Sequence, residues 1–338
     1  MNTVTLINLG RLEVSDTRPP ESIQQGQARV KVHRVGICGT DIHAYRGEQP
    51  FFSYPRILGH ELGVEVIEVG EGVTHVRPGD RCAVEPYMNC GKCPPCRRGR
   101  TNCCRSLQCL GVHTDGGMRE QIVLPAHKLH PSQTLSYEAL ALVETLGIGK
   151  HAVDRGQVVT GERIAVIGLG PIGLTVATFA LLAGASVVGI DLSVERIESA
   201  RSLLDIETLQ LVPDTPINEQ WHDTMGEAPT AVFDATGNRQ SMRNAFDLPE
   251  HAGRLIFVGL VLGELSFNDP DFHRRELTLL ASRNAVGDDF RQIIAWIESG
   301  RIDAERWITH RCKADDLPGL IECWLKPGAN LLKGMVAF

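Results

Sequence analysis

Aromatic side chains are scarce in this chain, at 5% of 338 residues, and no apolar run reaches the roughly 18 residues that a membrane-spanning helix needs. The opening stretch Met1–Gly10 lacks the basic segment followed by an apolar segment that marks a secretory signal. There is no surplus of positive charge either: the formal net charge is −7, which argues against a nucleic-acid backbone as the main partner. Internal repeats and low-complexity linkers are also missing. These absences argue against membrane-spanning and fibrous classes and against nucleic acid as the main partner, and leave a globular protein. At 43% hydrophobic and 22% charged residues the composition agrees, and the length suggests two domains at roughly 150 residues each. What is abundant is Gly, at 34 residues, and Cys, at 10. Without a secretion signal, those cysteines point to a cytoplasmic chain whose thiols serve metals or chemistry rather than disulfides.

The first part reads as mostly β. Strand patterns occur at Thr3–Asn8, Ala28–Val35, Val64–Val69, Arg81–Val84 and Met118–Val123, bounded by Gly or Pro. Residues 36–60 read as loop, because Gly36, Gly39, Gly47, Pro55 and Gly59 break any period. The texture changes near Ser136. A helical period runs to Asp154, and short apolar strands (Arg163–Ile167, Ser186–Asp191, Thr230–Asp234, Arg254–Val258, Leu277–Ala281) then alternate with helices at Pro171–Gly184, Val194–Leu204 and Arg239–Phe246. That rhythm predicts βαβ units around a parallel sheet. The tail carries amphipathic helices at Phe290–Ser299 and Asp315–Leu325 and a strand near Leu332–Ala337. The last strand is out of rhythm, so the tail is expected to rejoin the first domain, giving residues 1–150 with 286–338, and 151–285.

Gly168-Leu169-Gly170-Pro171-Ile172-Gly173 follows a strand and opens a helix. Gly168 permits the tight turn, Gly170 lets a pyrophosphate approach the backbone, and Gly173 lets helix and strand pack closely. The helix N-terminus offers free N–H groups and a positive dipole end. The next strand ends in Asp191, near the expected offset for an acid that binds both ribose hydroxyls and repels a 2′-phosphate. Neither Leu192 nor Ser193 is basic. The expected cofactor is NAD rather than NADP.

Cys90, Cys93, Cys96 and Cys104 have the spacing C-x2-C-x2-C-x7-C. Four thiolates can surround one tetrahedral zinc and leave no open position, which makes such a site structural. The last gap is too long for the usual iron–sulfur pattern. Cys103 competes with Cys104, and spacing favours Cys104. Cys82, Cys109, Cys312 and Cys323 have no partner pattern and read as buried small hydrophobes.

A second candidate centre lies in the loop-rich stretch, with Cys38-Gly39-Thr40-Asp41-Ile42-His43 and Gly59-His60-Glu61. Cys, His and a carboxylate suit zinc with room for water or substrate. Neighbours on a strand face opposite ways, so His60 and Glu61 can share a metal only if that corner is not extended. Glu144 sits in an otherwise apolar stretch, where it needs a partner or a metal unless that helix face reaches water.

Taken in order, these motifs, with Pro78-Gly79-Asp80, Gly116-Gly117 and Asp234-Ala235-Thr236-Gly237, resemble a zinc-containing medium-chain dehydrogenase/reductase over essentially the whole chain. The branch is that of sorbitol dehydrogenase and bacterial polyol and sugar-acid dehydrogenases. The resemblance implies an α/β protein with a mostly-β GroES-like catalytic domain and a doubly wound parallel-sheet (Rossmann) cofactor domain. It implies two zinc ions per chain. Cys38, His60, Glu61 and Glu144 would surround the catalytic one, with Glu61 ligating directly or exchanging with water, and the four-Cys lobe would hold the structural one. Thr40 would hold the reacting oxygen and His43 would pass its proton to solvent. Pro171, Ile172, Arg196, Thr236, Gly237 and Val258 join the glycines and Asp191 at the NAD site. The reaction implied is oxidation of a secondary hydroxyl of a polyol, sugar or sugar acid, with hydride transfer to nicotinamide in the cleft between the domains, in a homo-oligomer (tetramer or dimer). A simple alcohol dehydrogenase and a non-catalytic nucleotide-binding relative are the alternatives.

Two departures from the family pattern stand out: Val64 replaces a usual Gly, with Gly63 one place earlier, and Thr145 follows Glu144 where Pro is frequent. For substrate contact, Arg283, in Ser282-Arg283-Asn284 after the strand, offers a fork suited to a carboxylate or a pair of hydroxyls. A cofactor contact and an interdomain ion pair are the alternatives for Arg283. His113 and Tyr45 are further polar candidates.

Overall fold

The computed structural model describes every residue except Glu21, Pro50 and Phe51. The chain divides into two compact units, one of residues 1–147 with 285–338 and the other of 148–284.

The first unit is built on a seven-stranded sheet among the described residues. Its path runs Leu129–Ser132, Arg81–Val84, Glu61–Val69, Gln27–Ile37, Lys333–Ala337 and Ile308–Lys313, with Gln121–Pro125 also paired to Gln27–Ile37. The C-terminal strand Lys333–Ala337 lies antiparallel to Gln27–Ile37 and parallel to Ile308–Lys313. Alternation along the long strand puts Ala28, Val30 and Val32 into a core shared with Leu62, Val64, Leu124 and Val336. Glu61–Val69 begins three residues earlier than its apolar pattern suggests, and its register sets Glu61 opposite Gly36. A Cβ at Gly36 would lie 2.0 Å from Glu61 Oε2, so this glycine makes room for a buried carboxylate. The stretch read as loop between 36 and 60 contains a helix, Gly39–Tyr45. Its glycines concealed it: Gly39 is the first helical residue, while Asp41 reaches back to the Cys38 N–H in a capping box. The strand Arg11–Asp16, hairpinned to Asn2–Asn8, was also not legible.

Val64 has a physical reason. It is fully buried in the core, whereas a Cβ at its neighbour Gly63 would fall 1.9 Å from the Tyr137 carbonyl oxygen. The small residue is needed one place earlier, where the strand meets the start of the helix Tyr137–Gly156.

The second unit is a six-stranded parallel sheet in the order Glu207–Gln210, Ser186–Asp191, Arg163–Ile167, Ala231–Asp234, Arg254–Phe257, Thr278–Ala281. The order reverses between Arg163–Ile167 and Ala231–Asp234, the crevice where doubly wound sheets take ligands. Its core includes Val188, Ile190, Trp221, Val232 and Phe246. Each large side chain buried there contributes about 1.5–3 kcal/mol. Three pieces escaped the sequence pattern. Glu207–Gln210 buries only Leu209, and Ile217–Met225 buries only Ile217 and Trp221, one turn apart. A third, the short helix Asp269–Arg274, buries nothing.

Candidate active site

Cys38 is the N-cap of Gly39–Tyr45, so its position follows from the capping box with Asp41. Asp41 is buried; its Oδ2 accepts the Cys38 N–H at 2.9 Å and its Oδ1 the Gly59 N–H at 3.4 Å. Oδ1 also lies 3.8 Å from His60 Nδ1. Burial pushes the Asp41 carboxyl up, against the pull of His60. Burial opposes a charge on His60, yet Asp41 and Cys38 beside it hold the imidazole well above its usual value. His60 Nδ1 has no hydrogen-bond partner among the described residues. Gly59, at φ +93°, turns the chain just before His60, and the strand starts only at Glu61. The corner is therefore not extended, and both side chains reach the same centre. One ligand atom each from Cys38, His60 and Glu61 lies within 4.8 Å of the others.

Glu61 is held by a residue that the sequence did not single out. Lys333 Nζ donates to both Glu61 oxygens, at 2.6 and 2.9 Å, and to Thr145 Oγ1 at 3.1 Å. Lys333 and Glu61 are 2% and 1% exposed, so neither charge can be relieved by water. Although burial raises it, the Lys333 ammonium brings the Glu61 carboxyl below its ordinary value. Thr145, the second departure from the family pattern, thus provides a hydroxyl that a proline could not. Glu144 does not reach water and stands outside the Cys38, His60 and Glu61 cluster. Its Oε1 accepts a hydrogen bond from the buried Tyr87 hydroxyl. Burial raises its carboxyl, with His60 opposing.

Of the other candidates, Thr40 is half-buried beside Cys38, and His43 is exposed with Nδ1 2.8 Å from Glu48 Oε2. Tyr45 is corrected: its ring belongs to the hydrophobic core, and its hydroxyl donates to Glu322 at 2.7 Å. Burial and Glu322 push that phenol up to about 12. His113 Nδ1 accepts the Cys109 N–H at 3.0 Å. Cys109 is not isolated, since it feels the charges of His60, Glu144 and Cys38; burial pushes its thiol up to about 12. Cys82 is buried as expected, whereas Cys312 is half-buried and Cys323 exposed.

In the lobe, the sulfurs of Cys90, Cys93, Cys96 and Cys104 also lie within 4.8 Å of one another, and Cys103 points outward. Backbone N–H groups of Lys92 and Cys93 bring the Cys90 thiol down to about 6. The Cys90 N–H donates to Cys104 Sγ at 3.3 Å and lowers that thiol too. Burial and the neighbouring sulfurs raise Cys96 to about 11.

In the second unit, parallel register aligns Ile167 with Ile190 and Asp234, Asp234 with Phe257, and Phe257 with Ala281. The turns carrying Gly168–Gly173, Asp191, Thr236, Gly237, Val258 and Arg283 therefore emerge from one edge. Gly168 has φ +89°, and a Cβ at Gly173 would sit 1.7 Å from the Gly168 carbonyl oxygen. Gly170 caps the helix Pro171–Leu182, with no side-chain cap among the described residues; Ile172 lies in its first turn. The Asp191 carboxylate accepts the Leu169 N–H at 2.7 Å and the Ser193 N–H at 3.0 Å, and Arg196 Nη1 lies 3.6 Å from it. Asp234, which closes its strand, accepts from Thr236 and Ser241 and so shapes the turn at Gly237. Arg283 is exposed beyond the last strand.

Residues 24–134 match the alcohol dehydrogenase GroES-like domain and residues 171–299 the zinc-binding dehydrogenase domain. The chain is 40% identical over 315 residues to L-galactonate-5-dehydrogenase of Escherichia coli (strain K12), covering 92% of each. An alcohol dehydrogenase of Escherichia coli CFT073 complexed with NADH superposes with a TM-score of 0.93 at 30% identity, over 100% of this chain and 99% of the other. A zinc-binding dehydrogenase of Sinorhizobium meliloti 1021 bound to NADP gives 0.89 at 27% identity, over 100% and 99%. The two metal-competent clusters, the doubly wound sheet and these likenesses agree: the chain belongs to the zinc-containing medium-chain dehydrogenase/reductase family and is a zinc-dependent oxidoreductase that uses a nicotinamide cofactor.

Proposed function

We propose that the protein oxidises a secondary hydroxyl of a sugar acid or polyol, with NAD as acceptor and two zinc ions per chain. The observation that carries this reading is the cluster of half-buried Cys38 with buried His60 and Glu61 within 4.8 Å. A soft thiolate, an imidazole whose Nδ1 faces Asp41 and leaves its other ring nitrogen to the Cys38 side, and a carboxylate form a donor set suited to catalytic zinc. Zinc supplies Lewis-acid activation of the hydroxyl, and nicotinamide accepts the hydride.

The chain's own residues do the rest. Asp41 orients His60 from behind, as carboxylates do for metal-binding imidazoles. Lys333 balances Glu61 so that the site does not accumulate negative charge. Thr40, next to Cys38, holds the substrate hydroxyl, and exposed His43 hands the proton to solvent. In the other unit, Asp191 binds the ribose diol, which favours NAD. Arg196 contacts the same ribose while neutralised by Asp191. Gly168, Gly170, Pro171, Ile172 and Gly173 accept the pyrophosphate, and Thr236, Gly237 and Val258 line the same edge. The sugar-acid substrate is supported by the galactonate dehydrogenase relative and by Arg283, exposed at the cofactor edge; His113 is a second polar candidate. The four-Cys lobe takes the structural zinc.

We also infer a cytoplasmic homo-oligomer. All ten cysteines are unpaired, and no helix among the described residues is long and apolar enough to cross a membrane. Thr278–Ala281, at one end of the sheet, has one neighbour among the described residues and exposes Leu279, an edge that a second copy of this chain would cover. The deciding experiment measures zinc content and screens NADH formation against aldonates, polyols, aldoses and simple alcohols. Two zincs with fastest turnover of an aldonate or polyol is the expected result. Preference for a simple alcohol would overturn the substrate reading, and one zinc or none would overturn the two-zinc reading.

A further inference from the structure

Two buried carboxylates stand beside the cluster of Cys38, His60 and Glu61 without belonging to it. Asp41 is accounted for by its backbone N–H donors and by His60. Glu144 is not. It projects from the helix Tyr137–Gly156, 4% exposed, close enough to His60 and Glu61 to feel both charges. What distinguishes it from Glu61 is its partner. Glu61 is matched by a cation, whereas Glu144 Oε1 is held by the neutral hydroxyl of Tyr87. Tyr87 is 2% exposed, and its neutral phenol is a hydrogen-bond donor to that carboxylate.

The origin of Tyr87 matters as much as its contact. It lies in the strand Tyr87–Met88, paired with Gln108–Cys109 so that Tyr87 stands opposite Cys109. That ribbon leads directly out to Cys90 and returns from Cys104, so the four-Cys lobe closes the hairpin whose base carries Tyr87. We propose that Tyr87 is a positioning residue that holds Glu144 off the metal, beside the shell formed by Cys38, His60 and Glu61, and thereby keeps the fourth coordination position open. The proposal rests on the metal-site reading above. A carboxylate with one oxygen committed to a buried donor has a fixed orientation. Without Tyr87, Glu144 would be a buried carboxylate with an unmet acceptor, and the nearest cation would take it.

The test uses cobalt(II)-substituted full-length protein and its visible absorption, which is stronger for four-coordinate than for five-coordinate cobalt. The lobe contributes equally to every variant, so differences report the Cys38 centre. Tyr87→Phe is expected to weaken and shift the band, Glu144→Gln to leave it as in the wild type, and Tyr87→Phe in the Glu144→Gln background to leave it unchanged as well. A band insensitive to Tyr87→Phe in folded protein overturns the proposal. So does a change that persists when Glu144 is already Gln, because Tyr87 would then act only through packing. If Tyr87→Phe fails to fold, Glu144→Gln decides alone: an altered band means that Glu144 is already a ligand. Wild-type protein that binds cobalt only at the lobe instead overturns the metal-site reading, a distinct failure.

Discussion

The two metal-competent clusters differ in how they are assembled. The lobe is local: four thiols within 15 residues, from Cys90 to Cys104, meet on short turns, and backbone N–H groups point at their sulfurs. Its surroundings are basic, with exposed Lys92, Arg97, Arg98, Arg100 and Arg105 and no acidic residue between Glu85 and Asp115. That suits a site carrying four thiolates. The other cluster is non-local. It draws Cys38, His60 and Glu61 together from two distant stretches of chain, with Glu144 and Lys333 brought beside them from a helix and the last strand, and three buried carboxylates there each have a different partner. A closed site can be set by spacing alone, whereas an open one needs competing groups held away from the metal, and that takes tertiary contacts.

The sharpest way to break this comparison is Cys38→Ser. It should remove zinc from the open site, retain the lobe zinc, and cost several kcal/mol of transition-state stabilisation, on the order of 10³ in kcat/KM. Zinc analysis showing loss at both sites would mean that the clusters are not independent for metal binding. Next in size is Lys333→Met, which leaves Glu61 buried without its cation. A destabilisation of about 3–5 kcal/mol is expected in metal-free protein, read from denaturant unfolding, and added zinc should recover part of it. An unchanged midpoint would show that Glu61 is not charged there.

Cys96→Ser probes the same contrast from the lobe. One zinc should be lost and the melting temperature should fall, while Cys38 and His60 keep their metal. Because the lobe closes the ribbon bearing Tyr87, the cobalt band of the open site, after the lost lobe contribution is subtracted, should move as predicted for Tyr87→Phe. Unchanged zinc content would remove the structural-zinc reading. Asp191→Ala, in the other unit, should raise KM for NAD by about tenfold and improve relative use of NADP; a wild type that already prefers NADP would overturn that assignment. The smallest effect is expected for Arg283→Lys, which keeps the charge and removes the fork. It should cost about 1 kcal/mol on a hydroxy acid and less on a neutral polyol. Equal losses on both would give Arg283 to the cofactor.

Legibility in the sequence tracked chain locality. The four-Cys spacing, the glycine turn and its acid at Asp191, and the βα rhythm are short-range patterns whose physics operates within a turn or a strand, and they were readable directly. The helix Gly39–Tyr45 was hidden because glycine both breaks periods and starts helices, and the decisive signal was Asp41 capping back to Cys38. Tyr45 was misjudged as a polar contact because a hydroxyl is visible in sequence while its partner Glu322, 277 residues away, is not.

Composition and spacing by themselves determined the fold class, the presence of two metal-competent clusters and the common edge from which the glycine turn and Asp191 emerge, since each rests on backbone geometry that residue type dictates. Tertiary structure alone decided how the three buried carboxylates are partnered. Glu61, Glu144 and Asp41 are chemically alike. Only the return of the last strand, which brings Lys333 to Glu61, and the ribbon that brings Tyr87 to Glu144 tell them apart. In a buried site the partner, not the acid, fixes charge and direction.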